Sequence, residues 1–242
     1  MPETSIILRT KNEGKWLGEC LKRIFNQTYR NFEVIIIDSG STDKTLEIAA
    51  KFDVRIMHIR PEQFSYPFAL NYGCERASAS KYFAILSGHS LPISEKWLEK
   101  GIGNFAQGNH VAGIYGDVWA LPDASLWEKI VFCKLLTVVR HFPGKELMFR
   151  KHIRGILGFT NAMIRRDLWD RHHFNEEFGL GGEDGQWARY WLDKGYVIIK
   201  DMNFCVYHSH GLGFKQFIRQ FETWDSLTEP QPFREMEYRQ HK

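Results

Sequence analysis

The run Phe32-Glu33-Val34-Ile35-Ile36-Ile37 is apolar at every position but one and stops abruptly at Asp38. A strand with one wet face alternates apolar and polar side chains, so a continuous apolar run requires cover on both faces. That requirement commits the chain to helices on each side of a sheet. The pattern repeats: Ser5-Ile6-Ile7-Leu8-Arg9-Thr10 reads as a first buried strand, residues 54–59 as a third and Tyr82-Phe83-Ala84-Ile85-Leu86 as a fourth. Between them lie helical spacings: Trp16, Leu17, Cys20, Leu21 and Ile24 within residues 13–24, then residues 44–52 and 68–78. Strand and helix alternating at this interval predict an α/β fold with a mostly parallel central sheet. Ligands of such sheets sit beyond the carboxyl ends of the strands. Thr10, Asp38 and His89 each close a predicted strand and are selected on that ground.

The second half is less regular. Residues 93–105 read as a helix, 111–119 as one strand and 124–139 as an apolar helix. Residues 143–158 read as a basic loop and 160–164 as a short strand. A helix over 183–194 is stopped by Gly195. Residues 196–199 and 204–207 read as strands, 212–224 as an amphipathic helix, and the charged tail from Thr228 as loosely held. The formal net charge of +3 is too small to argue for nucleic acid. Arg140, Lys145, Arg150, Lys151 and Arg154 concentrate positive charge in one stretch, whose default reading is a solvated loop. A lid over a diphosphate and a patch for anionic lipid head groups are its functional alternatives. The four cysteines are scattered, so a structural zinc site is not expected and a reduced cytosolic setting is. The first residues lack the basic and apolar regions of a secretory signal, and no run of about 18 apolar residues exists.

Four short motifs carry chemistry. Asp38-Ser39-Gly40-Ser41-Thr42-Asp43 joins a strand to a helix; a capped turn explains it, as does a carboxylate aimed at a base or ribose. Ile85-Leu86-Ser87-Gly88-His89-Ser90 ends the fourth strand. Gly181-Gly182-Glu183-Asp184 opens a helix, where acids are also favoured by the helix dipole. Tyr207-His208-Ser209-His210 puts two histidines at i and i+2, on one face of a strand. No phosphate-binding Gly-rich loop with Lys and Ser/Thr, no Gly-x-Ser-x-Gly elbow and no His-Glu-x-x-His is present.

Residues 5–43, with Asn26-Gln27-Thr28-Tyr29 and Val34 to Asp43 at their centre, resemble the opening of family 2 glycosyltransferases. Phe159-Thr160-Asn161-Ala162 through Arg165-Arg166-Asp167-Leu168-Trp169 to Glu183-Asp184 resembles the acceptor half of the same enzymes. The resemblance spans residues 5–213. It implies a GT-A-like, Rossmann-type domain, with residues 1–92 as the nucleotide-sugar half, 93–213 as the acceptor and catalytic half, and 214–242 as a helix and tail. It further implies an inverting hexosyl- or deoxyhexosyltransferase. Thr10, Glu13, Asp38, Asn71 and Ser87 would bind nucleotide, with Asp38 facing the base. Asp184 would be the general base, with Glu183 orienting its loop or touching acceptor.

The family usually carries Asp-x-Asp at the fourth strand end, holding a divalent metal on the donor diphosphate. Here Ser87 and His89 stand in those places. His89, His208 and His210 are the expected ligands of a Mn or Mg ion. The implied partners are a nucleotide-sugar donor and a saccharide or lipid-linked acceptor, as in bacterial surface polysaccharide synthesis. A cytoplasmic location, peripheral at the inner face of the membrane, follows. The missing Asp-x-Asp leaves open a nucleotide-sugar-binding module without catalysis. A nucleotidyltransferase would need a basic Gly-rich loop that Thr10-Lys11-Asn12-Glu13-Gly14 does not supply.

Overall fold

The computed structural model describes residues 1–132, 146–179 and 181–226. In it β1 (Thr4–Thr10), β2 (Phe32–Asp38), β3 (Arg55–His58) and β4 (Tyr82–Ser87) lie parallel in the spatial order β3-β2-β1-β4. The sheet continues through β9 (Asn161–Arg165), β6 (Val111–Tyr115), β10 (Val197–Asp201) and β8 (Glu146–Phe149), giving eight strands. β9 and β8 run antiparallel to their neighbours and the other strands are parallel. The mostly parallel sheet expected from the sequence is the one observed.

The apolar runs are explained by what lies on each face. Successive side chains of a strand point to opposite faces. Ile7, Ile35, Ile37, Phe83 and Ile85 enter one buried cluster, while Ile6, Leu8, Val34, Ile36, Ala84 and Leu86 enter the other. The second cluster is completed by α1 (Leu17–Phe25), which buries Leu17, Cys20, Leu21 and Ile24 at helical spacing, and by α4 (Trp97–Phe105). The first is covered by α3 (Tyr66–Glu75) and by helix Glu183–Asp193, through Leu70, Cys74, Trp187 and Trp191. Fully burying each such aliphatic or aromatic side chain contributes about 1.5–3 kcal/mol. Between β2 and β3 runs α2 (Thr45–Ala49).

Two expectations are corrected. Residues 111–119 are two strands: after β6 the chain leaves the main sheet at Gly116, and β7 (Val118–Trp119) joins a small sheet with β5 (Leu91–Pro92) and β11 (Val206–Tyr207). A Cβ at Gly116 would sit 1.3 Å from the Phe204 carbonyl oxygen, so the crossing requires glycine. Residues 146–149 of the expected basic loop form edge strand β8, paired with β10. The apolar helix is described only as α5 (Leu126–Val131); its expected continuation through residue 139 lies outside the described residues, as do Arg140, Lys145, Cys133 and the tail from Thr228. Cys20, Cys74 and Cys205 are buried and unpaired. α6 (Arg166–Trp169) follows β9, α7 is helix Glu183–Asp193, and α8 (Phe214–Ser226) is the last element. Among the described residues no helix is long and apolar enough to cross a membrane.

Candidate functional site

Strand register alone brings the first group together. Thr10 pairs with Asp38, and Arg9 with both Ile37 and Ser87, at the carboxyl ends of β1, β2 and β4. Thr10 Oγ1 donates to Asp38 Oδ1 at 3.3 Å. Ser41 Oγ donates to the same oxygen at 2.5 Å, and the Gly40 and Ser41 backbone N–H groups donate to Oδ2 at 3.0 Å each. A carboxylate has about four acceptor positions, so Asp38 folds its own loop. A base N–H could reach Oδ1 only in place of the Thr10 or Ser41 hydroxyl.

The loop after β4 folds back on β1. A Cβ at Gly88 would lie 2.9 Å from both Thr10 Cγ2 and Glu13 Cγ, so the close approach needs glycine. His89 Nδ1 is then 2.8 Å from Glu13 Oε1. The small sheet delivers the other histidines: β11 pairs with β5 immediately after this loop, and His208 and His210 follow. The rings of His89 and His208 stack with centroids 4.3 Å apart. His208 Nε2 is 3.2 Å from His210 Nε2, and its Nδ1 is 3.3 Å from Ser87 Oγ and from Ser90 Oγ. One ligand atom from each of the three histidines falls within 4.8 Å of the others. His208 is buried, and burial, reinforced by His89 and His210, pushes its pKa well below the ordinary histidine value. It is neutral at pH 7 and offers a lone pair. Glu13 and Ser87, expected at the nucleotide, therefore sit in the histidine cluster.

Asn71 is placed elsewhere. Its Nδ2 donates to Phe174 O and Glu176 Oε1, and its Oδ1 accepts from Trp169 Nε1 and Phe174 N, all at 2.9–3.2 Å. The amide has no position left for a nucleotide; it clamps α3 to the chain after α6.

The carboxylates open α7. Gly181 and Gly182 hold φ of 120° and 93°, a left-handed pair that turns the chain into the helix and that side chains resist. Glu183 is 3% exposed, and burial beside Asp184 raises its pKa to about 8. Asp184 is also raised by burial, although it accepts N–H bonds from Phe159 at 3.3 Å and Gly185 at 2.6 Å. Both acids complement the positive end of the helix dipole. Between the carboxylates and the histidines lies Arg9, which the sequence reading passed over as a strand residue. Its side chain is 12% exposed and its Nη1 is 3.8 Å from Glu183 Oε1. Its guanidinium carbon is 4.8 Å from the centre of the Tyr66 ring. Arg9 Nε and Nη1 have no hydrogen bond among the described residues. A charged group inside an apolar run is the signal that could have singled it out.

A rim of strand ends carrying a carboxylate loop, an imidazole cluster and a buried acidic pair is the arrangement on which comparison with known proteins bears. The model of the family described as Glycosyl transferase family 2 matches residues 5–172. The chain belongs to that family. As a family 2 chain it is 42% identical over 218 residues to glycosyltransferase GlyG of Streptococcus pneumoniae, covering 81% of this chain and 68% of GlyG. It is 27% identical over 208 residues to glycosyltransferase AglE of Haloferax volcanii, covering 82% of this chain. The solved mannosyltransferase PcManGT from Pyrobaculum calidifontis, in complex with GDP-Man and Mn2+, superposes with a TM-score of 0.68 at 20% identity over 90% of this chain. That likeness shows the GT-A fold. The family 2 chain spans 64% of the length of AglE and 61% of PcManGT.

Proposed function

We propose that this family 2 chain is an inverting glycosyltransferase that moves a sugar from a nucleotide-sugar donor to an acceptor hydroxyl. The observation that carries this reading is the placement of the Glu183-Asp184 pair across Arg9 from the strand-end cluster of Thr10, Asp38, Ser87 and His89. In this reading Thr10 and the Asp38 loop receive the nucleotide. The buried Arg9 guanidinium, whose Nε and Nη1 have no hydrogen bond among the described residues, donates to the donor's diphosphate. That PcManGT, of the same fold, binds GDP-Man supports a nucleotide-sugar as the donor.

The acceptor oxygen attacks the anomeric carbon from the side opposite the diphosphate. As the new carbon–oxygen bond forms, the bond to the diphosphate oxygen breaks and its electrons leave with the nucleotide. Asp184 takes the acceptor's proton, and its raised pKa makes it a stronger base than a free Asp of about 3.9. The Phe159 and Gly185 N–H groups hold that carboxylate in place. Glu183, buried behind it, orients the loop.

The residues present fit a divalent ion: His89 Nε2 is buried with no hydrogen bond among the described residues, and two neighbouring imidazole nitrogens lie 3.2 Å apart. His89, His208 and His210 would hold it. When bound, such an ion stabilises negative charge gathering on a leaving diphosphate.

The acceptor in this reading is a saccharide or lipid-linked hydroxyl of surface-polysaccharide assembly. Leu126, Trp127 and Ile130 of α5 and Phe214 and Ile218 of α8 are exposed, with the Trp127 and Phe214 rings 4.7 Å apart. With Lys129 and Lys215 beside them, these side chains support peripheral contact with an anionic membrane surface. A thermal-shift screen of nucleoside diphosphates and sugar nucleotides, with and without Mn2+, tests the donor site. At least one sugar nucleotide should raise the midpoint and be consumed when acceptor is added. Stabilisation without any turnover of the bound donor would instead identify a binding module.

A further inference from the structure

The metal site proposed above differs in its donor atoms from one built on a pair of aspartates. All three groups aimed at its centre are imidazoles, and each one's second nitrogen or backbone is tied down. Glu13 Oε1, 2.8 Å from His89 Nδ1, accepts its N–H and leaves the lone pair on Nε2, which is buried and unpaired among the described residues. Ser87 and Ser90 hydroxyls, each 3.3 Å from His208 Nδ1, hold that ring with Nε2 facing His210. The His210 backbone N–H donates to Glu128 Oε1 at 2.8 Å, and Glu128 is itself fixed as the partner of Ser125 in the α5 capping box.

One pair of the nitrogens stands at the spacing of a shared ion. Metal–imidazole bonds of about 2.0–2.1 Å separate adjacent ligand nitrogens by roughly 2.9–3.4 Å, for angles between square and tetrahedral. The observed 3.2 Å between His208 Nε2 and His210 Nε2 lies inside that window. Two neutral imidazoles sharing a proton would meet at the same distance, but that pairing leaves His89 Nε2 buried without a partner.

Donor chemistry then selects the ion. Imidazole suits zinc, copper, iron and nickel, whereas magnesium and manganese favour carboxylate, carbonyl and water oxygens. The two carboxylates nearby are both turned to outer contacts, Glu13 to His89 Nδ1 and Glu128 to the His210 backbone N–H. We infer that the three histidines hold a zinc-class transition-metal ion that stays on the protein without nucleotide, with Glu13 as the positioning residue for His89. This inference rests on the histidines being the metal site and adds which ion they take and when.

The test uses tag-free full chain, stripped with a chelator and then dialysed without nucleotide against Zn2+, Co2+ or millimolar Mg2+. Bound metal is counted by elemental mass spectrometry, and Co2+ is also read by its visible absorption. The expected result is about one Zn2+ or Co2+ per chain, with Mg2+ not retained. Glu13→Gln should weaken Co2+ binding by about 10- to 100-fold, the usual effect of losing an outer-shell partner of a ligating histidine. His210→Ala, at an exposed position, should abolish retention while circular dichroism stays that of the wild type. Retention undiminished in His210→Ala, or Mg2+ held as tightly as Co2+, overturns the inference. If an ion binds only after a nucleoside diphosphate is added, the inference falls while the proposed donor site stands. If none binds even then, both the inference and the metal in the proposed function fall.

Discussion

Glu183 and Asp184 are neighbours in sequence with different environments. Glu183 lies behind the rim against Arg9, and Asp184 takes two backbone N–H bonds at its edge. The Glu183 carboxyl has a folded pKa near 8, against an ordinary value of 4.5. Its stabilising contribution is complete below pH 4.5, where folded and unfolded chains are both protonated. It is lost as pH rises toward 8, because the unfolded carboxyl ionises while the folded one keeps its proton. Wild type should therefore lose melting temperature between pH 5 and 9 more steeply than Glu183→Gln; parallel curves would show that Glu183 is not held protonated. For Asp184 the sign concerns rate. The base must be ionised, so the acidic limb of the transfer rate should lie above the ordinary Asp range, falling as pH drops through the raised pKa. A limb at or below about pH 3.9 would contradict its raised pKa. The sequence made both acids visible as a pair after two glycines. Arg9 was visible as a charge inside an apolar strand, but its place beside Glu183 was not, because that contact joins residues 174 positions apart.

At the scale of elements, one amide bridges the joint between the two sheets. Asn161, at the start of β9, accepts from Trp97 Nε1 at 3.0 Å and donates to the Phe204 carbonyl at 2.6 Å. Trp97 stacks on Phe204 with centroids 4.7 Å apart, just ahead of β11 and its histidines. Asn161→Leu leaves a buried N–H and a buried C=O unpaired, at about 1–3 kcal/mol each. Denaturant unfolding should show a loss of about 2–6 kcal/mol by that reasoning; a loss under about 1 kcal/mol would mean the network is not what joins the sheets. β1, β2 and β4 were legible because burial on both faces makes them almost continuously apolar, whereas β3, at the sheet edge with exposed Arg55 and His58, was read from its place in the alternation. β5, β7 and β11 were not, since two residues carry no periodicity. β8 was read as loop because its residues alternate exposed and half-buried at the sheet edge amid basic side chains. Asn71 sat on a helix whose start and end were legible, but its four hydrogen bonds reach residues about 100 positions away, beyond any local pattern.

Across the whole molecule, the carboxyl ends of β1, β2 and β4, the small sheet and the start of α7 meet at one rim. The apolar faces of α5 and α8 lie beside it, joined through the Glu128–His210 contact. Anionic vesicles should co-sediment the protein, and Trp127→Ser with Phe214→Ser should release it; equal binding to neutral vesicles would remove the electrostatic part of the membrane reading. The convergence of distant strand ends on one rim is what makes sugar transfer the reading of this chain. The direct measurement is transfer by Asp184→Asn beside wild type, with donor binding followed in parallel by thermal stabilisation. The account predicts unchanged donor stabilisation and a fall in transfer of about 10²- to 10⁴-fold, the usual contribution of a general base. Transfer at the wild-type rate would contradict it.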